Sequence, residues 1–249
     1  MNFGLIGKSI SHSFSKSYFE TKFTTDNTTI IIDTYTNFDL DNLDSLLSII
    51  TEKNINGLNV TKPYKELVIP YLNEIDPIAK EIGAINCIKI SFKNNVPYLI
   101  GYNTDYYGFA QSIKPFMEPI HQKALVLGTG GASKAVYYAL KNVGVDVYFV
   151  TTSTKKFNNY FLYEELNEYV LAAFKLIVNC TPLGLYPAIE KCPEIPYQFI
   201  TSEHLMYDLI YNPEETLFLK KGKARGAVTI NGLNMLKLQA DKALDIWKL

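Results

Sequence analysis

This sequence of 249 residues has few cysteines, almost no net charge and no long apolar run. Its three cysteines, Cys87, Cys180 and Cys192, are too far apart to suggest a metal site, so we expect no bound metal and reduced thiols in a cytoplasmic protein. A formal net charge of −1 argues against a nucleic-acid or membrane-surface partner. No apolar run approaches the roughly 18 residues of a membrane span, and the N-terminal segment does not resemble a secretion signal.

What the sequence does contain is typical of an ordinary globular protein. Hydrophobic residues make up 47% and charged residues 20%, which allows one large domain or two modest ones. In the first half, strands are predicted at 2–7, 28–36, 55–60, 84–90 and 96–102. Helices are predicted at 38–50, 64–72 and 77–83, the first with Leu40, Leu43, Leu47 and Ile50 on one face.

After Asp105 the pattern becomes a regular alternation of helix and strand. Strands are predicted at 123–128, 146–152, 175–181, 204–211 and 227–230. Helices are predicted at 105–113, 130–144, 215–226 and 232–247, whereas 153–170 has no clear period. Such an alternation is typical of a parallel α/β sheet.

A glycine-rich turn, "VLGTGGASKA", follows a strand and opens a helix. Gly128 and Gly130 occupy the first two positions of the dinucleotide-binding fingerprint, and Ser133 occupies the third. The helix N-terminus would supply N–H groups to a pyrophosphate. The alternative is a tight strand-to-helix turn that binds nothing.

The end of the next strand, "FVTTSTKK", bears on which cofactor would bind. An NAD site usually has an acidic residue there, and this segment has none. Hydroxyls and positive charge favour a 2′-phosphate and therefore NADP, although a solvated polar loop is the alternative. The residues that would supply them are Thr152, Ser153, Thr154, Lys155 and Lys156.

Four polar clusters of the first half, "SHSFS", "NVTKPYK", "GAIN" and "GYNTD", lie where predicted strands or their loops end. Each has a structural explanation of its own: the serines could cap a helix, Asn86 could belong to a turn, Asp105 could be an N-cap, and Lys65 could be solvated. Their common placement favours a ligand site outside the strand ends of an open sheet.

Together these motifs resemble the shikimate dehydrogenase family over nearly the full chain, in the family's order: "SHSFS", "NVTKPYKE", "GAIN", "GYNTDYYG", "GTGGAS", "VNCTPLG", "DLIYNPEET" and "GLNMLKLQA". The resemblance implies Lys65 and Asp105 as the catalytic pair. It implies substrate contacts from Ser13, Ser15, Thr61, Asn86, Tyr211 and Gln239. It also implies a pyrophosphate site at Gly130, Gly131 and Ala132, and a nicotinamide contact at Gly232.

The resemblance implies a two-domain α/β fold. Residues 1–104, with the C-terminal helix 231–249 returning to them, would form the substrate domain, and 105–230 a Rossmann-like nucleotide domain. The implied activity is NADP-dependent reduction of 3-dehydroshikimate to shikimate by a cytoplasmic enzyme, monomeric or homodimeric. The alternatives are a quinate or shikimate dehydrogenase that uses NAD, and a catalytically silent shikimate-binding sensor.

Three positions depart from the family's pattern. The family's NADP enzymes commonly have an arginine after the second nucleotide strand, where Ser153 stands in this chain. Phe14 lies between the two serines where lysine is common, and Tyr106 follows Asp105 where glycine is usual. We therefore expect an NADP preference smaller than an arginine would give, and a more crowded site entrance at Tyr106.

Overall fold

The structure is a computed structural model that describes residues 1–10, 14–25, 34–152 and 159–248, without the side chains at 14, 15 and 23–25. The chain divides into two compact units. The first comprises Met1–Asp105 with Gln239–Leu249, and the second comprises Tyr106–Leu238. The last segment therefore belongs to the unit formed by the N-terminal residues.

The first unit contains a mixed six-stranded sheet in the order β2-β1-β3-β5-β6-β4. Its strands are β1 Asn2–Gly7, β2 Thr34–Asp39, β3 Ile55–Val60, β4 Glu74–Ile75, β5 Cys87–Lys93 and β6 Val96–Tyr102. Strands β1, β2 and β3 are parallel, whereas β5 is antiparallel to both of its neighbours. The helices are α1 Phe14–Thr25, α2 Leu46–Glu52, α3 Tyr64–Leu67 and α4 Pro77–Ile82.

The second unit contains a six-stranded sheet in the order β12-β11-β10-β7-β8-β9, with every pair parallel. Its strands are β7 Lys123–Leu127, β8 Asp146–Thr151, β9 Tyr160–Leu162, β10 Leu176–Asn179, β11 Leu205–Asp208 and β12 Val228–Ile230. Counted within the unit this is the order 3-2-1-4-5-6 of the Rossmann fold, which confirms the predicted Rossmann-like fold class. The chain order reverses between β7 and β10, which is where such sheets bind ligands.

Helices cover the second sheet, and two helices cross the boundary between the units. The helices are α5 Asp105–Ile113, α6 Gly131–Asn142, α7 Glu168–Ala173, α8 Leu217–Lys223 and α9 Leu233–Lys248. Only the first residue of α5 belongs to the first unit, as does α9 from Gln239 onward. None of the helices in the described ranges has both the length and the apolar content to cross a bilayer.

The sequence predictions and the structure differ at several elements. The helix predicted from residue 38 begins only at Leu46, because the Asn42 side chain accepts a hydrogen bond from Asp44 N–H and favours a turn there. Leu47 is consequently 47% exposed, and Leu46 is buried in its place. Strand β9 lies within the segment 153–170 and helix α7 begins near its end, and neither was predicted, although the Asn167 side chain caps α7 by accepting hydrogen bonds from Tyr169 and Val170 N–H. Of the strand predicted at 28–36, residues 28–33 lie outside the described residues.

The end of α9 is held in the first unit by Trp247. Its ring stacks on Phe3 with centroids 4.6 Å apart, and its Nε1 donates to the Ile88 carbonyl at 3.0 Å. Gly57 leaves room for the ring, because a Cβ at that position would lie 2.5 Å from the indole. Burial of a large aromatic side chain and of its one polar atom thus anchors the last helix.

We expect Trp247→Ala to lower the free energy of unfolding by about 3–5 kcal/mol, because it leaves a cavity and an unsatisfied carbonyl. Urea denaturation followed by circular dichroism measures this. Trp247→Phe is the matched control: it keeps an aromatic ring and should cost less than half as much. Equal losses in the two variants would contradict the packing explanation.

Candidate functional site

Strand register brings the predicted catalytic segments to one edge of the first sheet. Asn59 of β3 pairs with Cys87 of β5, and Cys87 pairs with Tyr102 of β6. Because β5 is antiparallel to both neighbours, its beginning lies beside the ends of β3 and β6. The segments that follow β3, precede β5 and follow β6 therefore meet at this edge.

Lys65 and Asp105 form an ion pair at this edge. The Lys65 Nζ lies 2.6 Å from the Asp105 Oδ2, and the two side chains are only 19% and 10% exposed. Lys65 lies in the short helix α3, whose backbone is fixed because the Lys65 carbonyl accepts a hydrogen bond from Ile85 N–H at 2.7 Å. The interpretation of Lys65 as a freely solvated surface residue is therefore wrong.

Asn86 holds the second oxygen of the Asp105 carboxylate. Its Nδ2 donates to Asp105 Oδ1 at 2.8 Å, and its Oδ1 accepts from Thr104 N–H at 2.6 Å. Gln239 reaches the same cluster from α9, with its Oε1 3.3 Å from Asn86 Nδ2 and 3.2 Å from Thr104 Oγ1. Asn86, Thr104 and Gln239 are each at most 9% exposed. A buried, hydrogen-bonded amide network thus fixes the orientation of the carboxylate.

For the other predicted substrate residues the structure gives less detail of the side-chain contacts. Thr61 directly follows β3, is partly exposed, and has its N–H bonded to the Ile6 carbonyl. Tyr211 lies in the loop after β11 in the second unit and is partly exposed. Ser13 lies outside the described residues, and so does the side chain of Ser15, the second residue of α1.

Two residues of this network were not singled out from the sequence. Thr104 immediately precedes Asp105 in "GYNTD", so its membership in that cluster was the available signal. Asn59 stands inside the apolar strand β3, accepts a hydrogen bond from Tyr35 at 2.8 Å and donates to the Asn86 carbonyl. A polar residue within a buried strand needs hydrogen-bond partners, so its position in an apolar run was the signal that could have identified Asn59 as part of a polar network.

In the second unit the glycine-rich turn has the geometry that a pyrophosphate site requires. Gly128 has φ +96°, and a Cβ there would lie 3.1 Å from the Thr181 Cγ2. Gly130 is the N-cap of α6, and a Cβ there would meet nothing within 4 Å, so space lies in front of the helix N-terminus. Ser133 is 1% exposed and bonds back to the Gly130 carbonyl, so the third fingerprint position tolerates a hydroxyl. Gly131 and Ala132 form the first turn of this helix.

The remaining predicted cofactor residues lie on two further loops. Gly232 precedes α9, and its N–H donates to the Ile210 carbonyl at 3.0 Å, while any Cβ there would overlap the Leu209 carbonyl oxygen. Thr152 directly follows β8 and is exposed, as expected at the ribose end of such a site. Ser153, Thr154, Lys155 and Lys156 lie outside the described residues.

A fully buried carboxylate lies at the carboxyl edge of the second sheet. Asp208 ends β11 and pairs in register with Asn179, the last residue of β10. Its Oδ1 accepts from Asn179 Nδ2 and Ile210 N–H, each at 3.0 Å, and its Oδ2 accepts from Thr216 Oγ1 at 2.6 Å. Asp208, Asn179 and Thr216 are each 0% exposed.

Burial raises the pKa of Asp208 to about 6, although the hydrogen bonds from Thr216, Ile210 and Asn179 oppose the rise. The titratable groups that feel its charge are Cys180, Tyr197 and Tyr207, and burial raises the pKa of each, so all three are neutral at pH 7. No cation within salt-bridge distance of Asp208 occurs in the part of the chain that the structure describes.

Two further sequence expectations concern metals and Tyr106. Among residues 1–10, 14–25, 34–152 and 159–248, no group of three or more histidine, cysteine or acidic side chains could hold a metal ion. Tyr106 packs edge-on against Tyr138 within the second unit, with ring centroids 5.4 Å apart. Its ring therefore has a packing partner in its own unit.

The chain is similar to known proteins along its whole length. A family model for the shikimate dehydrogenase substrate binding domain matches residues 5–88. A protein of Desulforamulus reducens named Shikimate dehydrogenase (NADP(+)) is 35% identical over 272 residues, which cover 98% of this chain and 88% of that protein.

Solved structures of shikimate dehydrogenases also superpose on nearly the whole chain. The crystal structure of shikimate dehydrogenase from Aquifex aeolicus superposes with a TM-score of 0.87 at 33% identity, covering 99% of this chain and 92% of that one. The enzyme from Thermus thermophilus, in complex with NADP(H) and shikimate, superposes with a TM-score of 0.83 at 29% identity, covering 99% of this chain and 93% of that one.

The buried carboxylate makes stability depend on pH. Because its pKa is raised on folding, the folded state holds the proton more tightly, and this contribution is full below pH 3.8 and lost as the pH rises through about 6. Relative to Asp208→Asn, which does not titrate, the wild type should lose on the order of 1 kcal/mol between pH 5 and pH 7.5. Urea denaturation of both proteins across this range is the measurement, and a pH-independent difference would contradict the raised pKa.

Proposed function

Because the chain belongs to the shikimate dehydrogenase family, we propose that it reduces 3-dehydroshikimate reversibly to shikimate with NADP. The observation that supports this most directly is the Lys65–Asp105 ion pair, held by Asn86 at the sheet edge where the motif residues meet. A catalytically silent sensor would not require an ammonium and a carboxylate to be kept together in this way.

Each unit has its own part in this proposal. The first unit would bind the substrate through Ser13, Ser15, Thr61, Asn86 and Gln239, with Tyr211 contributing from the second. Hydroxyls and amides suit a polyhydroxylated carboxylic acid, because they donate to its carboxylate and exchange hydrogen bonds with its hydroxyls. The second unit would bind the dinucleotide.

Lys65 would donate the proton that forms the substrate's hydroxyl during reduction, and would accept it in the reverse reaction. During reduction negative charge develops on the carbonyl oxygen, and the Lys65 ammonium can donate a proton to it. Asp105 keeps that ammonium in place, and Asn86 keeps Asp105 in place. The Lys65 side chain is 19% exposed, so it can recover a proton from solvent after each turnover.

The residues of the second unit fit NADP. When bound, the cofactor supplies or accepts the hydride. Gly128, Gly130 and the N-terminus of α6 offer a close backbone approach and N–H donors to its pyrophosphate. Gly232 would lie at the nicotinamide, and Thr152 at the ribose, followed by Ser153, Thr154 and Lys155. No acidic residue in this segment would repel a 2′-phosphate.

A spectrophotometric assay with shikimate and quinate, each with NADP and NAD, tests the function. Efficient turnover of shikimate with NADP is expected. Faster turnover of quinate with NAD would favour the alternative dehydrogenase, and binding without turnover would favour a sensor.

We expect Lys65→Ala to lower kcat about 10²-fold or more while leaving the shikimate Kd within a few-fold, because the lysine acts mainly in proton transfer. Lys80→Ala, which removes an exposed lysine from α4 of the same unit, is the matched control and should retain full activity. Near-normal turnover of the Lys65 variant would refute its catalytic role.

The cofactor preference should be modest and sensitive to salt. Lys155 and Lys156 would act as point charges without the bidentate fork of arginine, and exposed charges are screened over about 8 Å at physiological ionic strength. The ratio of kcat/KM for NADP over NAD should therefore exceed one and fall as salt rises. A ratio unchanged both by salt and by removal of the two lysines would contradict this account.

A further inference from the structure

The burial of Asp208 calls for an explanation that stability does not provide. Burial raises the pKa of Asp208 from its ordinary value to about 6, so at pH 7 the folded state holds a carboxylate whose ionisation its surroundings oppose. No salt bridge among the described residues offsets this cost. Buried ionised groups that do not stabilise a fold can instead fix one local arrangement of it.

One chain of contacts runs from Asp208 to the glycine-rich turn. Since a carboxylate only accepts hydrogen bonds, Asp208 orients the Asn179 amide with its Nδ2 toward the carboxylate. The Asn179 Oδ1 then accepts from both Thr181 N–H at 3.0 Å and Thr181 Oγ1 at 2.7 Å. The Thr181 Cγ2 is the atom nearest to the position that a Cβ of Gly128 would occupy. The loop after β10 is thereby fixed against the turn that would receive the pyrophosphate.

A second chain of contacts runs from Asp208 to Gly232. The carboxylate accepts from Ile210 N–H at 3.0 Å, and the Ile210 carbonyl accepts from Gly232 N–H at 3.0 Å. The close packing of Gly232 on the Leu209 carbonyl leaves no room for the two loops to shift past each other. The same carboxylate thus determines where the loops after β11 and β12 lie.

Asp208 also connects the loops to a helix. Thr216, the N-cap of α8, donates its hydroxyl proton to Asp208 Oδ2 and accepts from Leu219 N–H at 3.3 Å. The carboxylate is therefore bound to the last side chain of β10, to the backbone that follows β11 and to the start of α8, all within the second unit.

We propose that Asp208 is a positioning residue for the cofactor, which holds the pyrophosphate turn and the nicotinamide loop in register without touching NADP itself. This inference rests on the proposed NADP site. It predicts a larger loss of cofactor binding than of substrate binding, because the proposed substrate cluster around Asn86 belongs to the first unit and only Tyr211 lies on a loop that Asp208 holds.

The test compares four variants by calorimetric titration with NADP alone, by shikimate titration, by melting temperature, and by KM for each substrate. Asp208→Ala removes the acceptor, and Asn179→Ala interrupts only the path to Thr181. Asp208→Asn keeps an acceptor at Oδ1 and lets its amide donate to Thr216, so it should rescue binding. Tyr207→Phe removes the neighbouring buried hydrogen bond to Ser112, of 2.7 Å, and controls for instability alone.

We expect the NADP Kd to rise about 10-fold or more in Asp208→Ala and about 3- to 10-fold in Asn179→Ala. It should stay within about threefold of wild type in Asp208→Asn and Tyr207→Phe. The shikimate Kd should rise less than the NADP Kd in Asp208→Ala, where only Tyr211 among the proposed substrate residues loses support, and should change less than about twofold in the other three variants. Normal NADP affinity in Asn179→Ala would overturn the proposal even if Asp208→Ala does not fold. An equal loss of NADP affinity in Tyr207→Phe would overturn it as well.

The outcome for the proposed function is separate. A wild type that binds NADP but does not turn over shikimate would refute the proposed function. The NADP titrations of the variants would still test whether Asp208 positions the cofactor loops. A wild type that turns over shikimate with NADP, beside variants of unchanged NADP affinity, would refute only the positioning role.

Discussion

The arrangement of the candidate active site depends on the contact between the Lys65 ammonium and the Asp105 carboxylate. At 2.6 Å and with both side chains largely buried, the pair requires that helix α3 and the start of α5 be held in register. Antiparallel β5 provides that register, because its first residue pairs with the ends of β3 and β6. Asn86, directly before β5, then bonds the carboxylate oxygen that Lys65 does not.

Much of this could be predicted from the sequence, since the informative signals are local. The apolar runs 55–60, 123–127 and 176–179 are strands because they are short and bounded by polar or glycine residues. The glycine-rich turn could also be recognised, because its glycines are close together in the sequence. The pairing of Lys65 with Asp105 was implied by the resemblance to the family, whereas the ion pair itself is a property of the fold.

What the sequence did not reveal depends on contacts between distant residues. In the sequence Asp208 looks like an ordinary polar residue at a strand end. Only the register with Asn179 and the hydrogen bond from Thr216 show that its carboxylate is buried and accepts hydrogen bonds from several segments. Helix α7 was missed because its six residues are too few to establish a period. Leu47 was placed on the wrong face because an Asn42 turn delays the start of α2 by several residues.

The two buried carboxylates differ in a way that matches their proposed roles. The Asp105 side chain is 10% exposed and paired with an ammonium, so its charge is compensated and it can take part in chemistry on a substrate that enters from solvent. Asp208 is 0% exposed and accepts only neutral donors, so its charge is costly and it is closed to any ligand. A group that no ligand can reach can still affect binding by fixing the loops that do contact the ligand. An uncompensated carboxylate suits that task, since it accepts from several donors at once and cannot reverse its hydrogen-bonding polarity while ionised.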